Sequence, residues 1–275
     1  MKKELQAEIA ILSSTFLFAA TAILIKLISK NFGGIFIAFC RFLIGVVLVY
    51  IVFKITRKNI YISDKKNLIL RGLFGSIAMV LYYVNIQITS SGRATLLTYT
   101  YPIFVAIFGY LFFDEKIKTN TLISILLCFT GILLVFYDKS NYSMIGNIVG
   151  LFSGMTSGMA IHYIKRSREK NNPLIVYLSV CIFGLFVSIF SIGQATNITF
   201  RSLLLIVLMG TLVFLAQIMR GWGLKYVTAT RGSIISILVV PLTIFFSYFI
   251  GEEMKLKFFI GAVLIIIGLV INRKS

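Results

Sequence analysis

Apolar residues run in blocks along this chain, each about as long as a bilayer core is thick, with short polar connections between them. The blocks fall at 7–27, 35–53, 68–88, 94–113, 121–137, 146–164, 174–192, 202–219, 232–250 and 256–272. Runs such as Ile260–Ile271 are unbroken rather than alternating, which predicts helices and not barrel strands. The pattern predicts an all-α polytopic membrane protein with ten transmembrane helices. The longest polar connection, around Lys54–Asn67, is too short to fold alone. Met1-Lys2-Lys3 precedes the first block like the start of a signal peptide. The block is too long for an h-region and no A-x-A site follows it, so it reads as a retained span.

Composition agrees with the pattern. Apolar residues make up 59% of the chain and charged residues 13%, with a mean hydropathy of +0.97. These values exclude an ordinary soluble domain, a disordered chain and a disulfide scaffold. The net charge of +18 would suggest nucleic acid in a soluble protein, but cytoplasmic loops of membrane proteins collect Lys and Arg whatever the substrate. With the N-terminus inside, the inner connections carry 19 of the 27 basic residues and the outer side seven. That bias puts both termini in the cytoplasm. Cys40, Cys128 and Cys181 lie inside apolar runs without CxxC spacing, so neither a metal site nor a disulfide is expected.

The two halves match at an offset of 138 residues. Gly72 pairs with Gly210, Arg93 with Arg231, Thr95 with Ser233, Thr98 with Ser236, Phe108 with Phe246, Tyr110 with Tyr248 and Glu115 with Glu253. With one residue of slippage Ser14 pairs with Ser153 and Lys26 with Lys165. The division falls at residues 1–138 and 139–275. Five spans per half is an odd number, so the second copy must enter the membrane upside down. Inverted repeats give two near-equivalent packings, hence alternating access, with the substrate near the midplane.

The motifs carry a family resemblance. Ala38-Phe39-Cys40-Arg41-Phe42-Leu43 follows Thr15-Phe16-Leu17-Phe18 and Ile25-Lys26. Ser91-Gly92-Arg93-Ala94 leads through Tyr101-Pro102-Ile103-Phe104 to Phe113-Asp114-Glu115. Its counterpart runs from Thr230-Arg231-Gly232-Ser233 through Val240-Pro241-Leu242 to Gly251-Glu252-Glu253. In this order and spacing the chain resembles the EamA-type members of the drug/metabolite transporter superfamily, over essentially its whole length. Pro241 sits one residue late relative to Pro102, and Arg41 faces Val180 with no basic counterpart. The resemblance implies a ten-helix secondary carrier, often an exporter of amino acids or other small metabolites, in a bacterial inner membrane.

Several residues could carry the chemistry. Lys26 and Arg41 lie inside spans 1 and 2, where a basic side chain costs about 2.5–3.5 kcal/mol on insertion scales. They face a watery cavity, ready for a carboxylate or phosphate, or snorkel to the outer headgroups, or hydrogen-bond free carbonyls. Tyr82, Tyr83, Tyr99 and Tyr101, with Gln217, suit a pocket for a small, partly apolar solute. Pro102 and Pro241 interrupt spans 4 and 9 and should free the carbonyls of Thr98 and Ile237. Gly146, Gly150, Gly154 and Gly158 form a smooth stripe on span 6, for close packing or for sliding, with Gly154 and Gly158 as hinge or gate candidates. His162 and Glu8 lie near the inner ends of spans 6 and 1 as candidates for proton coupling, and Glu115 and Glu253 lie at span ends, for pairing with Lys or Arg or as gate elements.

No Walker motif and no compact catalytic set is present, so the chain reads as a secondary carrier and not an enzyme. The alternative is a lipid flippase or scramblase, guided by the basic outer residues. No cofactor is expected. The partners considered are a small-molecule solute, the lipid bilayer and a second copy of the chain; nucleic acid is not among them.

Overall fold

In the computed structural model the described residues are 2–57, 61–114, 119–136 and 144–251, with scattered positions between 260 and 271. The elements are α1 (Lys2–Ile28), α2 (Gly34–Thr56), α3 (Lys65–Ile88), α4 (Ser91–Thr98), α5 (Tyr101–Phe112), α6 (Thr119–Phe136), α7 (Met144–Lys170), α8 (Pro173–Ser188), α9 (Phe200–Gly223), α10 (Ala229–Ser236) and α11 (Val239–Tyr248). A 3-10 helix, Ile189–Asn197, follows α8. No strand occurs among the described residues. Eight membrane-length apolar segments are found among them, counting α4 with α5 and α10 with α11. The tenth predicted span, 256–272, lies largely outside the described residues, as do Glu115 and Glu253.

Local chemistry sets the ends. Asp64 caps α3 by accepting from the Asn67 backbone, and hydrogen bonding from the Asn67 side chain holds its carboxyl below the usual carboxylate range. The cap is therefore ionised at neutral pH. Ser90 caps α4 by accepting from the Arg93 N–H at 3.1 Å, and Thr228 caps α10 by accepting from the Arg231 N–H at 3.1 Å. Thr199 and Ser202 form a reciprocal capping box at the start of α9.

Spans 4 and 9 are each broken, as their prolines predict. The breaks fall before the prolines, at Tyr99–Thr100 and Ile237–Leu238. There the backbone tightens to i→i+3 bonds, with Thr100 N–H donating to Leu97 O and Leu238 N–H to Ile235 O. One expectation fails: the Ile237 carbonyl is not free, because the Val240 N–H reaches it at 2.9 Å.

The packing has an exchange pattern. α3 lies along α7 as α1 lies along α9; α3 touches α8 as α2 touches α9; α4 and α5 lean on α7 as α10 and α11 lean on α1. α2 meets α8 directly. Large apolar side chains such as Phe186, Phe200 and Leu204 face outward, as lipid-facing positions do. Between helices in lipid, close van der Waals fit replaces the hydrophobic effect as the cohesive term.

Candidate functional site

The bundle encloses a cavity walled by α1, α2, α3, the α4–α5 break, α7 and α9. Its free volume is about 50 Å³, room for a few water molecules. A metabolite-sized solute therefore needs the walls to part.

Arg41 enters from α2. It is completely buried, with its guanidinium 5.0 Å from the Phe42 ring centroid and 5.7 Å from that of Tyr83. It does not snorkel. Neither Nε nor either Nη has a hydrogen-bond partner. Tyr82, Tyr83, Tyr99, Tyr101 and Gln217 line the same cavity. Tyr82 Oη lies 2.9 Å from Thr95 Oγ1, and Tyr99 and Tyr101 pack ring to ring at 5.3 Å.

Two cavity cations escaped sequence reasoning. Arg71 of α3 is 2% exposed and Arg220 of α9 is 6% exposed, and both line the cavity. Arg220 Nη2 donates to Tyr101 Oη at 2.7 Å, and its guanidinium lies 5.7 Å from the Phe18 centroid. In the sequence both count among the charges of the inner connections, because they stand close to the ends of predicted spans. The available signal was the repeat. Arg71 stands opposite Met209 and Arg220 opposite Tyr82, whereas Arg93 and Lys26 have basic counterparts in the other half.

Lys26 is placed elsewhere. Its Nζ donates to the carbonyls of Ile86 at 3.1 Å and Thr89 at 2.7 Å, and it does not line the cavity. Lys165, its counterpart, donates to Val227 O at 2.9 Å. Thr89 and Val227 are themselves 138 residues apart. Both lysines thus hold the turn between a third and a fourth span. Hydrogen bonds from a charged donor contribute about 1.5–3 kcal/mol. Lys26→Met is accordingly expected to lower the thermal midpoint by about 5 °C, from roughly 2 kcal/mol lost, with KM unchanged. A thermal melt and a saturation curve on the same preparation check it.

The glycine stripe packs against the break. A Cβ on Gly154 would lie 2.8 Å from Thr100 Oγ1 and 3.0 Å from Leu97 O; one on Gly158 would lie 2.7 Å from Phe104 Cβ. Pro102 lines no part of the cavity but opens α5 directly beside Tyr101, and Pro241 is buried inside α11. His162 Nε2 lies 2.8 Å from Val105 O, and its ring stacks on Phe113 at 4.2 Å.

The two ends of the bundle differ. Where α1 and α10 begin, Arg231 pairs with Glu4 at 2.6 Å and Glu8 at 2.5 Å. Where α4 and α7 begin, Arg93 Nε donates to Asn147 Oδ1 at 3.0 Å. Glu8 and Asn147 are 139 residues apart, the spacing that also separates Lys26 from Lys165.

Membrane-length helices around a mostly buried cavity that holds several arginines, with one of the two broken helices beside it, are the build of a solute transporter. The chain belongs to the EamA-like transporter family, whose model matches residues 5–137 and 144–273. It is a transporter and an integral membrane protein, not an enzyme. It is 22% identical to the "uncharacterized transporter YoaV" of Bacillus subtilis, over 96% of this chain and 95% of that one. It is 27% identical to human "solute carrier family 35 member G1" over 78% of this chain and 56% of that protein. It is also 27% identical to the "pseudopaline exporter CntI" of Pseudomonas aeruginosa, over 62% of this chain and 60% of that one. A solved crystal structure shares the fold with a TM-score of 0.77 at 14% identity, covering 95% of this chain and 94% of the other.

Proposed function

We propose that this chain is a secondary carrier, an exporter or exchanger, that moves a small organic solute bearing a carboxylate or phosphate by alternating access. The observation that carries the reading is the concentration of unpartnered polar groups around one cavity: Arg41, Arg71, Ser157 and Gln217 all line it, and each has a donor or hydroxyl without a hydrogen-bond partner. A buried polar group left unpaired costs about 1–3 kcal/mol, so these groups are poised for a ligand. Arg41, Tyr82, Tyr83, Tyr99, Tyr101 and Gln217 would contact the solute, joined by Arg71 and Arg220.

Residues 1–138 and 139–275 would be two inverted repeats. The exchange pattern of helix contacts, the paired Lys26 and Lys165 turns and the paired Ser90 and Thr228 caps support this. With both termini in the cytoplasm of an inner-membrane protein, the Arg231 pairs with Glu4 and Glu8 would fasten the inner end. The Arg93–Asn147 bond would fasten the outer end. Pro102 and Pro241 would place the hinges, and Gly154 and Gly158 the surface against which one hinge moves.

The test is counterflow in proteoliposomes preloaded with a mixture of small acids and amino acids. Saturable uptake of at least one labelled anion, driven by its own internal pool, is expected. A folded protein that supports no counterflow across the panel would refute the carrier.

A further inference from the structure

The lining of the cavity says more about the solute than that it is an anion. Arg41, Arg71 and Arg220 share one cavity, and no Asp or Glu lines it among the described residues. The unpartnered nitrogens there are all donors: Nε, Nη1 and Nη2 of Arg41, Nε of Arg71 and Nε2 of Gln217. The cations also rest against different walls, the two poles of the cavity. Arg41 sits against Phe42 of α2 and Tyr83 of α3, and Arg220 of α9 sits against Tyr101 of α5 and Phe18 of α1. Arg71 lines the same cavity from α3.

Resting on the carrier reading, we infer that the transported solute is a small organic dianion, such as a dicarboxylate or a phosphate ester, held at both poles. A monocarboxylate presents one pair of acceptor oxygens, which a single guanidinium satisfies in a fork. That leaves the other pole with an uncompensated buried cation, an expensive arrangement. A zwitterionic amino acid is worse matched. Its ammonium would add a further positive charge to a cavity whose described lining offers no carboxylate to receive it. The two poles come from different halves of the chain, Arg41 and Arg71 from the first and Arg220 from the second. A dianion spanning them ties the halves together, and this gives the ligand its own reason to favour the closed cavity.

The experiment uses the full-length protein in detergent and then in proteoliposomes, at matched ionic strength. Thermal midpoints are read with succinate, glycerol 3-phosphate, propionate and leucine. Succinate or glycerol 3-phosphate is expected to bind at least about tenfold more tightly than propionate or leucine. Arg41→Gln and Arg220→Gln should each remove most of that tenfold preference, one pole at a time, while both variants still melt cooperatively. The same dianion should then show saturable counterflow. Stabilisation by dianions without counterflow would keep this ligand class and refute the carrier. Counterflow of leucine or propionate, with no stabilisation by either dianion, would keep the carrier and overturn the ligand class. A preference that survives both substitutions would also overturn it.

Discussion

Arg41→Gln is expected to abolish transport while making the ligand-free protein more stable. The two signs together distinguish a binding residue from a structural one. Arg41 is completely buried, and no nitrogen of its guanidinium has a partner. Its ring contacts with Phe42 and Tyr83 return only part of the cost of desolvation. Replacing an uncompensated buried charge by a neutral side chain of similar length relieves most of the cost of keeping that charge out of water. The thermal midpoint of the empty carrier should therefore rise. Transport should fall on the order of 100-fold, since losing one partner of a desolvated charge pair costs about 2–5 kcal/mol. Counterflow and a thermal melt on one preparation decide the matter. A variant that is less stable and still transports would return Arg41 to a packing role.

Gly154→Val carries the second large effect, on the moving surface. Thr100 Oγ1 and the carbonyls of Leu97 and Thr98 lie between 2.8 and 3.1 Å from where a Cβ would stand. Two of those three atoms are backbone, held by the break itself, and cannot step aside cheaply. Overpacking of this kind costs about 1–3 kcal/mol, and the valine methyls reach further than Cβ. Gly154→Ala should lose about 1 kcal/mol of stability and slow exchange by a few-fold. Gly154→Val should lose about 3 kcal/mol and essentially all exchange. Adding Thr100→Ala, which removes the nearest atom, should restore part of the alanine variant's loss and little of the valine variant's. Melting curves and exchange rates for the four proteins check this. Full tolerance of valine would mean that α7 does not rest on the break.

The sequence made most of this frame legible because the bilayer imposes it. Span length and charge bias follow from hydrocarbon thickness and leaflet asymmetry, so nine of the ten predicted spans coincide with helices among the described residues. Proline chemistry located the two broken helices to within a few residues. It did not give the bond that the Ile237 carbonyl finds, because the chain can tighten to an i→i+3 turn. The cavity was half legible. Arg41 and the four tyrosines stood inside apolar blocks, where polarity is conspicuous. Arg71 and Arg220 stood close to block ends, where a basic residue looks like a loop charge. Only the third dimension shows that α3 and α9 turn them inward. Lys26 illustrates the converse. It stood out as a buried cation, yet its counterpart Lys165 makes the same backbone contact in the other half. Lys26 and Lys165, which match between the halves, hold the backbone, whereas Arg41, Arg71, Arg220 and Gln217, which lack a like residue at the offset, line the cavity.

The central claim is that this cavity opens alternately to the two sides of the membrane. Ser157 lines it, is nearly buried, and has a hydroxyl with no partner, so a cysteine there is a conservative reporter. Cys40, Cys128 and Cys181 would first be replaced by alanine or serine. The Ser157→Cys protein, oriented in vesicles, would then be treated with a membrane-impermeant thiol reagent from one side at a time. Alternating access predicts modification from both sides, slowed from both sides by the transported solute. Modification from one side only, or at a rate that the solute leaves unchanged, would contradict it.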